Sequence, residues 1–292
     1  MVMSMVLPYL GSIVVPRDML VNVSFWVAFQ VFFHCMVALI LKPNWPRFAA
    51  KNKHIRWSMY NRSVAAMHSC VITGMSVYYW LYVNPDWTVF QEELHPFAQK
   101  SLDYMIAYLI YDSVHESTFP ERADKETLLH HGLGLITHVS ARLTNAVGQS
   151  NYYMMIYLAE LSTPFLHLCW AMYAMGFKDL VLFKVVCFIV LGSYLVVRVI
   201  WGPFMLWHCY TNAHNFTSPQ DKLLYMPNLI VLAIFCILNW VWFRALLVKF
   251  VSVPPKGKEV DESKDDQLAS GSSISGGGAA NKVSNKNGKK ID

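Results

Sequence analysis

The sequence predicts an all-α protein, a polytopic bundle of about seven membrane-spanning helices around an apolar cavity with a polar floor. Three observations predict it. Hydrophobic residues make up 55% of the 292 positions against 15% charged ones, and the mean hydropathy is +0.32, more apolar than one water-facing surface can dilute. Seven stretches reach the length of about 20 residues that a bilayer core of roughly 30 Å requires. The Lys and Arg residues gather between those stretches, where they report orientation in a membrane and give no support for nucleic-acid binding.

The stretches run Leu20–Leu41, Tyr60–Val83, Lys100–Glu116, Leu128–Ala146, Tyr152–Met175, Leu180–Tyr210 and Leu223–Phe250. The third and fourth are weak by hydropathy. Asp103, Asp112, Glu116, His130, His131, His138 and Arg142 interrupt them, so both helices need a protein interior or a wet cavity for those side chains. The sixth is over-long, and Gly202-Pro203 predicts a kink or the end of its regular part near Trp201. The division that follows is a lumenal or interfacial lead-in (1–19), a first helix with a basic cytosolic loop (20–59), the main transmembrane domain (60–250) and a tail (251–292). The lead-in carries Pro8 and Pro16 and has no basic start, unlike a cleaved signal peptide. The six cysteines fall inside apolar runs without paired spacing and predict neither a disulfide framework nor a metal site.

Lys42, Arg47, Lys51, Lys53, Arg56 and Arg62 crowd the first connection without an acidic residue, whereas the second carries Asp86, Glu92 and Glu93. The first connection is therefore predicted cytosolic, the N-terminus lumenal and the C-terminus cytosolic. The tail combines Pro254-Pro255, a mixed-charge run and a Ser/Gly stretch, and predicts disorder. It ends Lys289-Lys290-Ile291-Asp292, which resembles a dilysine retrieval signal of endoplasmic-reticulum membrane proteins and implies the vesicle-coat machinery as a partner. Asn215-Phe216-Thr217 is a glycosylation acceptor on the predicted lumenal side.

Ionisable groups at bilayer depth cost at least about 2.5–3.5 kcal/mol each, so each needs a partner or a role. Tyr108, Tyr111, Asp112, His115 and Glu116 lie within two turns of one another, and Asp112 shares a face with Tyr108, His115 and Glu116. His131, His138 and Arg142 form one stripe on the next helix; Glu160 and Arg198 occupy the following two. Three readings compete. In a catalytic one, a histidine oriented by Asp112 or Glu160 acts as base or nucleophile. In a binding one, the same groups hold a lipid headgroup. In a structural one, Asp112 and Glu160 pair with Arg142 and Arg198 between helices. Adjacent histidines diverge by about 100° around a helix, which disfavours a metal site at His130-His131.

Four motifs, Tyr104–Asp112 (YMIAYLIYD), His130-His131, Leu158–Leu166 (LAELSTPFL) and Arg198–Phe204 (RVIWGPF), resemble in order and spacing the TLC-domain superfamily, which includes the ceramide synthases. Within it the likeness is strongest to TLC domain-containing protein 4 and its relatives. The resemblance runs from about Tyr60 to Phe250. It implies a helical bundle that admits an acyl chain, residence in the endoplasmic reticulum and a role in membrane lipid composition. Ceramide synthases depend on paired histidines, matched here by His130 and His131, and on a later His-Asp motif. At that motif this chain has Ala159 and Glu160, with Thr163 where a second Asp is expected. The departure argues against ceramide synthesis.

The resulting expectation is an endoplasmic-reticulum protein of lipid homeostasis that binds membrane lipids in the bundle and shifts phospholipid or sphingolipid composition. The alternative is an acyl-CoA-dependent acyltransferase with His130, His131, Asp112 and Glu160 as catalytic candidates. No cofactor is expected, and acyl-CoA enters only as a co-substrate of that alternative. Tyr108, Tyr111, His138, Arg142 and Arg198 are the candidates for lipid contact. A third possibility, a cargo receptor cycling between reticulum and Golgi, rests on the dilysine end, with Asn84–Gln99 the only sizeable lumenal loop for cargo.

Overall fold

The computed structural model describes residues 15–85, 95–118, 125–144, 147–215 and 219–251. The lead-in up to residue 14, most of the predicted lumenal loop, the tail from 252 with Lys289 and Lys290, and Phe216-Thr217 of the glycosylation acceptor lie outside the described residues.

Every regular element among the described residues is helical. In chain order they are α1 (Arg17–Asn44), α2 (Pro46–Ala49), α3 (Lys53–Tyr78), α4 (Pro96–Ser117), α5 (Lys125–Thr144), α6 (Val147–Ile156), α7 (Thr163–Ala174), α8 (Val181–Tyr194), α9 (Trp201–Thr211) and α10 (Pro219–Val251). A 3₁₀ segment, Tyr157–Ser162, joins α6 to α7, and a π segment, Leu195–Ile200, joins α8 to α9. A second π segment, Tyr79–Val83, extends α3, and with these segments each of the seven predicted stretches is helical over its described residues apart from Met175 and Leu180 at the stretch ends.

Local chemistry sets several boundaries. Asn52 caps α3, its side-chain oxygen accepting the Ile55 N–H at 2.8 Å. The helix therefore begins at Lys53, inside what the charge pattern marks as loop. Pro96 opens α4 behind His95, whose Nδ1 accepts the Phe97 N–H at 3.2 Å. Gly176, at φ +79°, makes the turn between α7 and α8, a backbone region that costs a residue with a Cβ dearly. Of the kink or end of the regular part expected near Trp201, the structure has an interruption of the α-helix just before Trp201 and no end of the rod. The rod runs on to Thr211, and the interruption is the π segment, where the ladder opens ahead of a proline that cannot donate.

Among the described residues three helical rods, Arg17–Asn44, Val181–Thr211 and Asp221–Phe250, are long and apolar enough to cross a membrane, with mean hydropathies of 2.0 to 2.2. Their apolar windows are only 6%, 33% and 17% buried, so Phe25, Phe32, Leu39, Val181, Phe188 and Ile237 present hydrocarbon outward. In water such a surface would aggregate; in lipid it is the ordinary exterior.

The polar helices occupy the middle. Leu102, Asp103, Tyr104, Met105, Ile106 and Ala107 are consecutive and all buried, so this part of α4 is enclosed on every side. It packs against α1, α3 and α5, while α3 also packs on α7 and the 3₁₀ segment. Leu102, Tyr104, Met154, Tyr157 and Ile72 are fully enclosed around it.

Polar contacts fix the alternation of the rods. Asp18 at the start of α1, Asp103 near the start of α4 and Arg142 at the end of α5 meet at one end of the bundle. Nearby, Asp221 at the start of α10 accepts the Gly148 N–H of α6 at 3.2 Å. At the other end Trp57 of α3 stacks on His115 of α4, and Trp242 of α10 donates to Glu126 of α5 at 2.9 Å.

Candidate functional site

The polar residues of the interior fall into two adjoining groups on the inner helices and a separate one at the end of the bundle. The first inner group centres on Asp112 of α4. Its Oδ1 accepts the Asn61 amide N–H at 2.6 Å, and His131 Nδ1 of α5 lies 3.2 Å from Oδ2. Asp112, Asn61 and His131 are all buried. A carboxylate beside an imidazole is the pairing from which a general base can be built.

The second inner group centres on Glu160, in the 3₁₀ segment, and Arg198, in the π segment. Glu160 Oε1 accepts from Arg198 Nη2 at 3.2 Å; Oε2 accepts from Thr163 at 2.8 Å and Ser69 at 3.1 Å. Arg198 also donates through Nε to Ser162 at 3.0 Å, through Nη2 to Thr163 at 2.8 Å and through Nη1 to Asn239 at 3.5 Å. Asn239 in turn accepts the Tyr194 hydroxyl at 3.1 Å. This group ties α3, α7, α8 and α10 together.

Helix α3 bridges the two. Ser69 reaches Glu160, while its neighbour His68 stacks on Tyr108 of α4, ring centroids 3.7 Å apart and planes 10° from parallel. Tyr108 then meets His131 edge-on at 6.2 Å.

Among the remaining predicted residues, Arg142 and His138 take partners outside this pair of groups. Arg142 does not meet Asp112; it donates to Asp103 at 3.0 Å and to Asp18, and Asp103 also accepts from Asn22 at 2.9 Å. The pairing of Asp112 with Arg142 weighed in the structural reading is therefore not formed, because Arg142 lies three turns along α5 from His131. Glu160 with Arg198 is formed. His138 shares the buried stripe with His131 and Arg142 but returns its Nδ1 to the Gly134 carbonyl at 2.7 Å and packs on Tyr153 at 4.4 Å. Tyr111 and His34 share a hydrogen bond at 2.7 Å. His130 has its ring 4.4 Å from Phe235, 5.6 Å from Trp242 and 5.6 Å from that of His131, and Glu160 and Arg198 are close enough to act on it electrostatically.

Sequence reasoning passed over Asn61, His68, Ser69 and Asn239. The signal for the first three was present: Asn61, Val64, Ala65, His68, Ser69, Ile72, Thr73 and Ser76 recur at helical spacing as a stripe of small and polar residues. In lipid such a stripe marks the face on which helices approach one another.

The sequence profile described as the TLC domain matches residues 22–248. This chain belongs to the TLC-domain family. The match begins well before Tyr60, so the family region includes α1 and the basic connection as well as the bundle from α3 onward. No characterised protein matches the chain significantly. Membership makes this a membrane protein of a lipid-related family, in agreement with the outward hydrocarbon of α1, α8–α9 and α10.

Proposed function

We propose that this TLC-domain protein is a multi-pass protein of the endoplasmic-reticulum membrane, similar in role to TLC domain-containing protein 4, that binds a membrane lipid within its helical bundle and influences phospholipid or sphingolipid composition. The observation that carries the reading is the placement of the Glu160–Arg198 pair. It lies in the interior of helices whose outer faces are apolar, and each member sits in a backbone segment that departs from α-helix. Non-regular backbone at bilayer depth is tolerated where it is enclosed by protein or lines a cavity, which is where a lipid headgroup would be held. On this reading all seven rods span, the basic connection is cytosolic, and the tail returns the protein to the reticulum. Protection of a C-terminal tag inside sealed microsomes overturns that orientation.

The test is direct. Protein purified in mild detergent is extracted and its lipids are compared by mass spectrometry with those of the whole membrane. One lipid class is expected at several times its bulk proportion, and replacing Glu160 with Gln and Arg198 with Met together should return it to bulk. A lipid profile indistinguishable from the membrane sinks the reading.

The His131–Asp112 contact of 3.2 Å favours a second reading, an acyltransferase. His131 would take the proton of an acceptor hydroxyl or amine as it attacks the thioester carbonyl of acyl-CoA, with the CoA thiolate leaving. Turnover of labelled acyl-CoA that disappears in His131→Ala while the melting temperature holds would support it. Absence of turnover with a saturating range of acceptors removes it.

A further inference from the structure

His68 is fully enclosed, with no exposed surface. Its ring lies between Tyr108, at 3.7 Å, and Tyr104, at 4.8 Å. Neither ring nitrogen has a hydrogen-bond partner among the described residues. A buried donor and a buried acceptor left unmade oppose folding, and a Phe would fill the same slot without that penalty. The position adjoins both inner groups. Its chain neighbour Ser69 binds Glu160, and both Glu160 and His131 are close enough to act on it electrostatically.

The cations around it are already engaged. Arg198 uses four of its five N–H groups on Ser162, Asn239, Thr163 and Glu160. Arg62, further along α3, lies 4.4 Å over the Trp170 ring and 3.3 Å from His167. Asp112 adds a negative charge. A phosphate group needs free cationic donors and finds a neutral ion pair and a carboxylate instead. A neutral imidazole offers one donor and one acceptor, the complement of a hydroxyl, which both donates and accepts.

We infer that His68 contacts the bound lipid directly and that the site takes an uncharged lipid carrying a hydroxyl, with phosphorylated lipids excluded. The inference rests on the lipid-binding reading above and names its ligand class. A hydroxyl-bearing glycerolipid would seat its headgroup against His68, and its acyl chains would run among the apolar residues of the bundle.

The experiment uses the full chain in nanodiscs of phosphatidylcholine doped with equal dioleoylglycerol and dioleoylphosphatidate, followed by recovery of the protein in mild detergent and quantitation of retained lipid. The unaltered protein is expected to retain dioleoylglycerol about tenfold over dioleoylphosphatidate, the ratio one well-made buried hydrogen bond supplies. His68→Phe keeps the ring stack, removes both nitrogens and should lower dioleoylglycerol retention to the level of dioleoylphosphatidate while raising the melting temperature. His68→Asn, which keeps a donor and an acceptor, should restore part of the retention, and it decides the matter if the Phe variant does not fold. Equal retention of the two lipids by the unaltered protein overturns the ligand class. Undiminished dioleoylglycerol retention in His68→Phe overturns the contact and leaves His68 a core residue. Enrichment of some other, phosphorylated lipid would overturn this inference and leave lipid binding standing, whereas no enrichment of any lipid removes lipid binding itself.

Discussion

Arg142 and Arg198 are both buried guanidiniums set against carboxylates, yet their surroundings differ in a way that separates structure from function. Arg142 joins helix ends: Asp103 comes from α4, Asp18 from α1, all in regular α-helix, and the Asp18 side chain is 60% exposed at the end of the bundle. Arg198 sits mid-rod in a π segment, facing a glutamate in a 3₁₀ segment, among hydroxyl and amide partners from three elements. Regular helices clasped at an open end need no ligand to explain them. Two non-α segments facing each other across a buried ion pair are the kind of enclosed irregular backbone that a binding site in a membrane protein uses.

The largest effect expected is that of Arg198→Ala. It strands Glu160 in the interior, and a half-broken buried pair typically costs about 3–5 kcal/mol, which should appear as a large drop in the detergent melting temperature. The double variant Glu160→Gln/Arg198→Met removes both charges and should recover most of that stability without recovering lipid retention. If the double variant recovers both, the pair is interhelical glue and the contrast with Arg142 collapses.

A smaller loss is expected at the other cluster. Asp103→Asn keeps the shape and the Asn22 contact, and Arg142 retains Asp18, so roughly 2 kcal/mol of stability should go while lipid retention stays unchanged. A fall in lipid retention equal to that of the Arg198 variants would tie the two clusters into one site. The smallest effect belongs to Asp18→Asn. Its carboxylate is largely solvated, so the loss should be under about 1 kcal/mol and should shrink as salt is added, measured as melting temperature against ionic strength.

The helices themselves were legible from apolar run length, and three of the rods among the described residues are long and apolar enough to span, where a chain in hydrocarbon has few other ways to satisfy its backbone. Their boundaries were less so. Asn52 moves the start of α3 into the basic connection because a side-chain cap outweighs the local charge pattern, and the interruption ahead of Pro203 is a π segment rather than an end of the rod. Of the candidate site, the pairing of Glu160 with Arg198 was among the pairings anticipated, since two opposite charges at bilayer depth each need a partner. The match of Arg142 with Asp103 and Asp18, and that of Asp112 with Asn61, were not anticipated.

Composition and periodicity determined that this chain is a helical membrane protein and which of its residues are too polar to face lipid. The order of four motifs pointed to the family that the profile match over residues 22–248 shows. Which polar residue meets which was decided only in the tertiary structure, because helical spacing places a side chain on a face without saying which neighbouring helix that face meets or at what height. His68 shows the limit most sharply. In the sequence it is one histidine in a moderately polar helix, and only the packing of α3 against α4 and the 3₁₀ segment sets it between two tyrosines and beside Glu160.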